Sequence, residues 1–155
     1  MKKYIISSIF LFFIVHSISA QIRVNSKDFE YAEGVTFSVK GFMSDLTSEY
    51  GDGDDQKIYI AKGGRFKTAI LKFTNNTEED VVIDFQKFEL IDNADKRYFV
   101  HGASQSMKII NTMEKFKLTL KAGKTKTFMA TFWPPYPKKE QVTRMIVNDE
   151  IIILE

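Results

Sequence analysis

Apolar side chains in this chain return at every second position, segment after segment. Val35, Phe37 and Val39 alternate with Thr36, Ser38 and Lys40. Phe116, Leu118 and Leu120 alternate with Lys115, Lys117, Thr119 and Lys121, and Phe128, Ala130 and Phe132 with Thr127, Met129 and Thr131. An extended chain points successive side chains to opposite faces, so each such segment buries one face and wets the other. A helix would scatter the same residues around its circumference.

The rest of the chain follows the same rule. Arg65 to Phe73 reads as a strand with Ala69, Leu71 and Phe73 on one face and Phe66 and Ile70 on the other. Val81, Ile83 and Phe85 alternate, the phase slips at Gln86-Lys87, and Phe88 and Leu90 resume inward, which predicts a bulge. Arg97 to His101 is a short strand. Met145 to Val147 and Ile151 to Leu154 flank Asn148-Asp149, a hairpin with a two-residue loop. The second arm lacks polar alternates, which predicts a strand covered on both faces. Asn75 to Asp80, Asp92 to Asp95 and Ala122-Gly123 are turns. From Gly102 to Met113 the period is lost. Ile109, Ile110 and Met113 fit one side of a short helix, and a structured crossover fits equally. Seven or eight short strands between turns predict an all-β sandwich.

The first twenty residues read differently. Met1-Lys2-Lys3 is positive, Tyr4 to Ile18 is mostly apolar, and Ser17-Ile18-Ser19-Ala20 is rich in small residues. This is the pattern of a secretory signal peptide (1–20) with cleavage before Gln21. An uncleaved N-terminal membrane anchor is the alternative. Residues 21–155 then form one domain, exported to the periplasm or the extracellular space, with no stable transmembrane span after cleavage. The chain of 155 residues has no Cys, which excludes a disulfide framework, a thiol nucleophile, a zinc–thiolate site and a lipoprotein anchor.

Ile70-Leu71-Lys72-Phe73-Thr74-Asn75-Asn76-Thr77 is a strand entering an Asn turn. Phe85, Phe88-Glu89-Leu90-Ile91-Asp92 and Tyr98 follow, and later Leu118 to Gly123 and the strand ending at Phe132. This order resembles the telokin-like, immunoglobulin-fold domains of exported bacterial proteins, the domain-of-unknown-function 4352 family. The likeness spans Val35 to Leu154. It implies an immunoglobulin-like sandwich and an exported setting, and it brings no catalytic residues. Family members usually have Gly in the turn before the Tyr, where this chain has Ala94 and Asp95.

Few residues invite chemistry. His101, with Ser104 and Ser106 nearby, allows a Ser–His pair, but no glycine elbow flanks either serine, and no catalytic residue is assigned. Asp52, Asp54 and Asp55 in Gly51-Asp52-Gly53-Asp54-Asp55 are the candidate calcium ligands, against the reading of a solvated acidic turn; no other cofactor is expected. Glu78-Glu79-Asp80 is a solvated turn, and the sequon Asn75-Asn76-Thr77 is turn chemistry. Trp133-Pro134-Pro135-Tyr136-Pro137 is stiff and extended, and proline bars it from a central strand. It either ends a strand at the rim of the core or presents Trp133 and Tyr136 to a partner.

Charge is balanced in total and uneven in distribution. Twenty-two Lys and Arg face twenty Asp and Glu, and two of the lysines belong to the leader. Lys27 to Asp55 has eight acids and two bases, whereas Lys96 to Arg144 has eleven bases and two acids. If the strands carrying Lys115, Lys117 and Lys121 and then Lys124 and Lys126 pair, five ammonium groups share one surface. That face suits an acidic protein, a polysaccharide or another envelope component, or it simply guards strand edges. Export and neutrality argue against nucleic acid. The sequence therefore predicts an exported, non-enzymatic binding module. A structural or accessory envelope protein with no small ligand is the alternative, and a hydrolase the least supported reading.

Overall fold

The computed structural model describes residues 27–50, 57–105, 108–110 and 116–154. The expected leader, the three aspartates Asp52, Asp54 and Asp55, and Lys115, Ser106 and Met113 lie outside them. Thirteen strands form among the described residues: β1 (Asp28–Ala32), β2 (Val35–Asp45), β3 (Thr47–Tyr50), β4 (Lys57–Ile60), β5 (Gly64–Asn75), β6 (Val81–Asp84), β7 (Phe88–Ile91), β8 (Arg97–Gln105), β9 (Lys108–Ile110), β10 (Lys117–Leu120), β11 (Thr125–Pro137), β12 (Arg144–Val147) and β13 (Glu150–Ile153). The fold is an all-β sandwich, richer in strands than the seven or eight expected. β1, β3, β4 and β9 are the additions. They are short, three to five residues each, which is why they read as connections; β1 does alternate, with Phe29 and Tyr31 turned to the core.

The main sheet runs β1-β2-β5-β11-β8-β7-β12-β13, with β9 paired to β8, and β10-β6 and β3-β4 form separate two-stranded sheets. All pairings are antiparallel. The sheet folds over on itself. Phe88 of β7 reaches Phe37 of β2 (5.6 Å) and stacks on Tyr31 of β1 (5.9 Å). The Asn148 side-chain amide donates to the Tyr31 carbonyl at 2.8 Å. Between the layers lies a knot of phenylalanines in which Phe73 touches Phe37, Phe85, Phe88 and Phe128. Fully burying each such ring contributes about 2–3 kcal/mol, and edge-to-face contacts add about 1 kcal/mol. Ala69, Leu71 and Phe73 face this core as their spacing predicts.

Several local expectations are corrected. The phase slip at Gln86-Lys87 is a 3-10 turn, Phe85–Lys87, capped by Asp84 Oδ1 accepting from the Gln86 N–H at 3.1 Å. It resets the phase as a bulge would, but it also carries the chain from β6 to the main sheet. Gly102 to Gln105 continues β8, and β9 pairs back onto it, so a hairpin replaces the short helix or crossover. The final hairpin is as expected: Asn148 and Asp149 have φ of 50° and 67°, the twisted two-residue turn that suits paired strands. Its second arm, however, is the sheet edge, with Ile151 60% and Ile153 52% exposed. Only β12 flanks it.

The Trp-Pro-Pro-Tyr-Pro segment forms the end of β11, which pairs with β5 and β8 on its two sides as far as Trp133. From Pro134 to Pro137 only β5 pairs with it among the described residues, so the prolines lie beyond the part of the strand that is central. Pro134 and Pro135 fall in the register break between Phe132 and Tyr136, where the ladder does not need their missing N–H groups. Gly64 of β5 fits this break, because a Cβ there would lie 2.7 Å from the Tyr136 carbonyl and 2.9 Å from Pro135 Cβ.

Candidate functional site: a cleft under the β3–β4 hairpin

The outer face of the main sheet, away from the core, carries a second set of aromatic rings. Phe66 of β5 and Trp133 of β11 stack at 5.5 Å. His101 of β8 lies over Phe66 at 6.2 Å and beside Trp133 at 5.7 Å. Its placement follows from an irregular register: Gly102 pairs with Thr131 and Val100 with Phe132, which leaves His101 as the extra residue. A bulge of this kind re-aims one side chain out of the ladder.

The β3–β4 hairpin packs onto these rings. Ser48 and Tyr59 are direct cross-strand partners, so both point to the same side. Tyr59 meets Trp133 edge-on at 4.9 Å, and the Ser48 hydroxyl lies 2.7 Å from His101 Nε2. Ala61 closes the hairpin base through its N–H to the Leu46 carbonyl at 2.8 Å. Between the hairpin and the sheet is an open cleft of about 270 Å³. Ser48, Thr68, His101, Ser104 and Thr131 give it a wall of hydrogen-bonding groups, and Asp45 and Glu49 stand along it. Thr68 and Thr131 bond hydroxyl to hydroxyl at 3.0 Å. Among the described residues no Lys or Arg lines it. Burial depresses the proton affinity of His101, which favours the neutral ring.

The sequence-predicted lysines are arranged differently from expectation. β10 pairs with β6, not with β11, so strand pairing does not gather the four described lysines, Lys117, Lys121, Lys124 and Lys126. Lys117 and Lys121 face the acids of the β6 region: Lys117 Nζ lies 3.6 Å from Asp84, and Lys121 Nζ 2.6 Å from Asp80. Lys124 precedes β11 and Lys126 lies at its start. Trp133 is 37% exposed, but Tyr136 is buried at 1% and donates to the Ile91 carbonyl at 3.2 Å. Its phenol pKa is pushed up to about 12, chiefly by burial. The loop with two exposed rings is therefore a strand with one ring out and one ring in. The calcium candidates Asp52, Asp54 and Asp55 lie outside the described residues. Among the described residues no group of three His, Asp or Glu is placed to hold a metal.

Ser48, Tyr59 and Phe66 are the site residues that sequence reasoning left out. Ser104 and Ser106 are the serines near His101 in sequence, yet its hydroxyl partner, Ser48, is 53 residues away. Only the outward phase of Phe66 gave a signal, as an aromatic on the wrong face of a half-buried strand.

No protein-family model matches the chain, and no curated protein does either. Solved structures do. A conserved hypothetical protein from Bacillus anthracis is 19% identical with a TM-score of 0.54, over 90% of this chain and 99% of that one. A functionally unknown protein from Listeria monocytogenes EGD-e is 15% identical (TM-score 0.47), over 74% of this chain and 63% of that one. MPT63, a secreted protein from Mycobacterium tuberculosis, is 12% identical (TM-score 0.43), over 84% of this chain and 90% of that one. The chain shares its all-β fold with the Bacillus protein.

Proposed function

We propose that this chain is an exported, non-enzymatic binding module of the bacterial envelope and that its ligand occupies the cleft under the β3–β4 hairpin. The leader pattern of residues 1–20 supports export, and the resemblance to the domain-of-unknown-function 4352 family supports the same setting. The observation that carries the reading is the hairpin itself. Ser48 and Tyr59 hold it against His101 and Trp133, and a cleft lined by hydroxyls remains beside the rings. Rigid rings next to clustered hydroxyls suit a polyhydroxylated ligand, so a neutral polysaccharide segment fits better than an acidic partner. Lys117 and Lys121, already facing carboxylates, offer an anionic partner little uncompensated charge.

Trp133 is the sole tryptophan, so its fluorescence reports on the site. Titration with a panel of neutral oligosaccharides should shift that emission, and Thr131→Ala with Ser104→Ala should weaken the response. A panel that leaves emission unchanged would sink the sugar reading. The Ser48–His101 contact supports a second reading, a hydrolase using Ser48 as nucleophile and His101 as base. Turnover of simple acyl esters, lost in both Ser48→Ala and His101→Ala, would replace the first reading with it.

A further inference from the structure

We propose that β13 is a self-pairing edge, and that two copies of this chain join through it as antiparallel strands about a two-fold axis at Ile152. The phase of the hydrogen bonds is the first argument. A two-residue turn makes Val147 and Glu150 the closing hydrogen-bonded pair of the β12–β13 hairpin, and Met145 and Ile152 the next. Ile151 and Ile153 therefore aim their backbone N–H and C=O groups away from β12. β13 ends the sheet, so among the described residues no strand receives them.

The sequence of the edge is self-complementary under that axis. Ile151 falls opposite Ile153 of the second copy, and Ile153 opposite Ile151 of the second copy. Both pairs join outward-aimed backbone groups, giving four hydrogen bonds. Both also set exposed isoleucines side by side on the outer face, which continues from one sheet into the other. Glu150 falls opposite Leu154, so no like charges meet within the paired stretch. The opposite edge of the sheet behaves otherwise. On β1, Asp28 and Glu30 are exposed, and a two-fold axis at Phe29 or at Glu30 sets acid against acid. β1 is thus guarded in the usual way, and β13 carries no Lys, Pro or bulge that would guard it. A second copy is the occupant that these pairings fit, and the dimer so formed is isologous.

The test uses the full chain as exported. Sedimentation over a range of concentrations should show reversible dimers. Ile153→Pro removes one outward N–H without touching the β12 ladder, so it should yield a folded monomer by circular dichroism. Because the chain has no Cys, single-cysteine crosslinking reads the register independently. In the proposed register the two Ile152 positions form a non-hydrogen-bonded pair with Cα atoms about 4.5 Å apart, within disulfide range. The two Ile151 positions would be about 8 Å apart, beyond it. Ile152→Cys should therefore crosslink readily and Ile151→Cys poorly. A chain that stays monomeric at every concentration, a dimer that persists in folded Ile153→Pro, or equal crosslinking at both positions would overturn the proposal.

Discussion

The Tyr98 hydroxyl donates to Asp92 Oδ2 at 2.6 Å, and both side chains are buried. The other carboxylate oxygen accepts from the N–H groups of Ala94 and Lys96, each at 2.9 Å. The Arg144 guanidinium reaches the Asp92 carbonyl. Burial alone would raise the Asp92 pKa, but the hydrogen bonds from Tyr98, Lys96 and Ala94 outweigh it and hold the carboxyl below its ordinary value. Burial and the adjacent carboxylate push the Tyr98 phenol up. One acid thus ties the 92–96 turn to the core.

Tyr98→Phe should lower unfolding free energy by about 1–3 kcal/mol, because it leaves a buried carboxylate short of a donor. The pH dependence has a defined sign. A depressed carboxyl stabilises the fold above its unfolded value of about 3.9, and that contribution is lost as pH falls through the folded value. Acid unfolding of Tyr98→Phe should therefore begin at higher pH than that of the unmodified chain. Urea titrations at a series of acidic pH values measure both effects.

His101 should make the fold sensitive to mild acid. Burial favours its neutral form, so its folded pKa lies below the unfolded value of about 6.5. Its contribution is complete above that value and declines as pH falls through the folded one. His101→Phe keeps a ring over Phe66 and cannot titrate. The melting temperature of that variant should vary less between neutral and mildly acidic pH. An unchanged pH slope would mean that His101 does not report the site.

Lys67 is 5% exposed, and its ammonium donates to the Ser44 hydroxyl at 2.8 Å beneath the Tyr136 ring. Among the described residues no carboxylate pairs with it. Burial, helped by Arg65, lowers its pKa. Lys67→Met should raise stability at neutral pH by on the order of 1 kcal/mol, since the side-chain volume stays and the buried charge goes. The unmodified chain should gain stability as pH rises from the folded toward the unfolded pKa of Lys67. Chemical denaturation of the Met variant should lack that alkaline gain.

Asn75 is the most densely bonded turn residue. Its amide donates to the carbonyls of Glu79 (2.7 Å), Leu120 (3.3 Å) and Lys121 (3.3 Å), and its oxygen accepts from the Thr77 N–H and hydroxyl. Asn75→Ala should cost about 2–4 kcal/mol. Asn75→Asp should be no better, because a carboxylate offers no donor to three carbonyls. Thermal melts of the two variants decide this; a near-normal Asp variant would contradict it.

The strands that carry the core were legible because alternation is a local property. Val35 to Val39, Ala69 to Phe73 and Phe128 to Phe132 announce their buried face by phase alone. The turn at Asn148-Asp149 was legible for the same reason, since its residue types tolerate positive φ. The site was mostly not. The His101 hydroxyl partner, Ser48, lies in a polar four-residue strand that has no apolar period to read. Lys117 and Lys121 read as part of a cationic surface, but Asp84 of β6 and Asp80 just before it stand beside them.

Pattern and composition determined that the chain would be all-β and built without disulfides. Tertiary structure decided which strands pair, which edge stays open at Ile151 and Ile153, and where the prolines of β11 are tolerated. It also set His101 against Ser48. The physical reason is range. Alternation needs only neighbours two residues away, whereas pairing and bulge placement depend on contacts across tens of residues, and those form only when the sheet folds over its core.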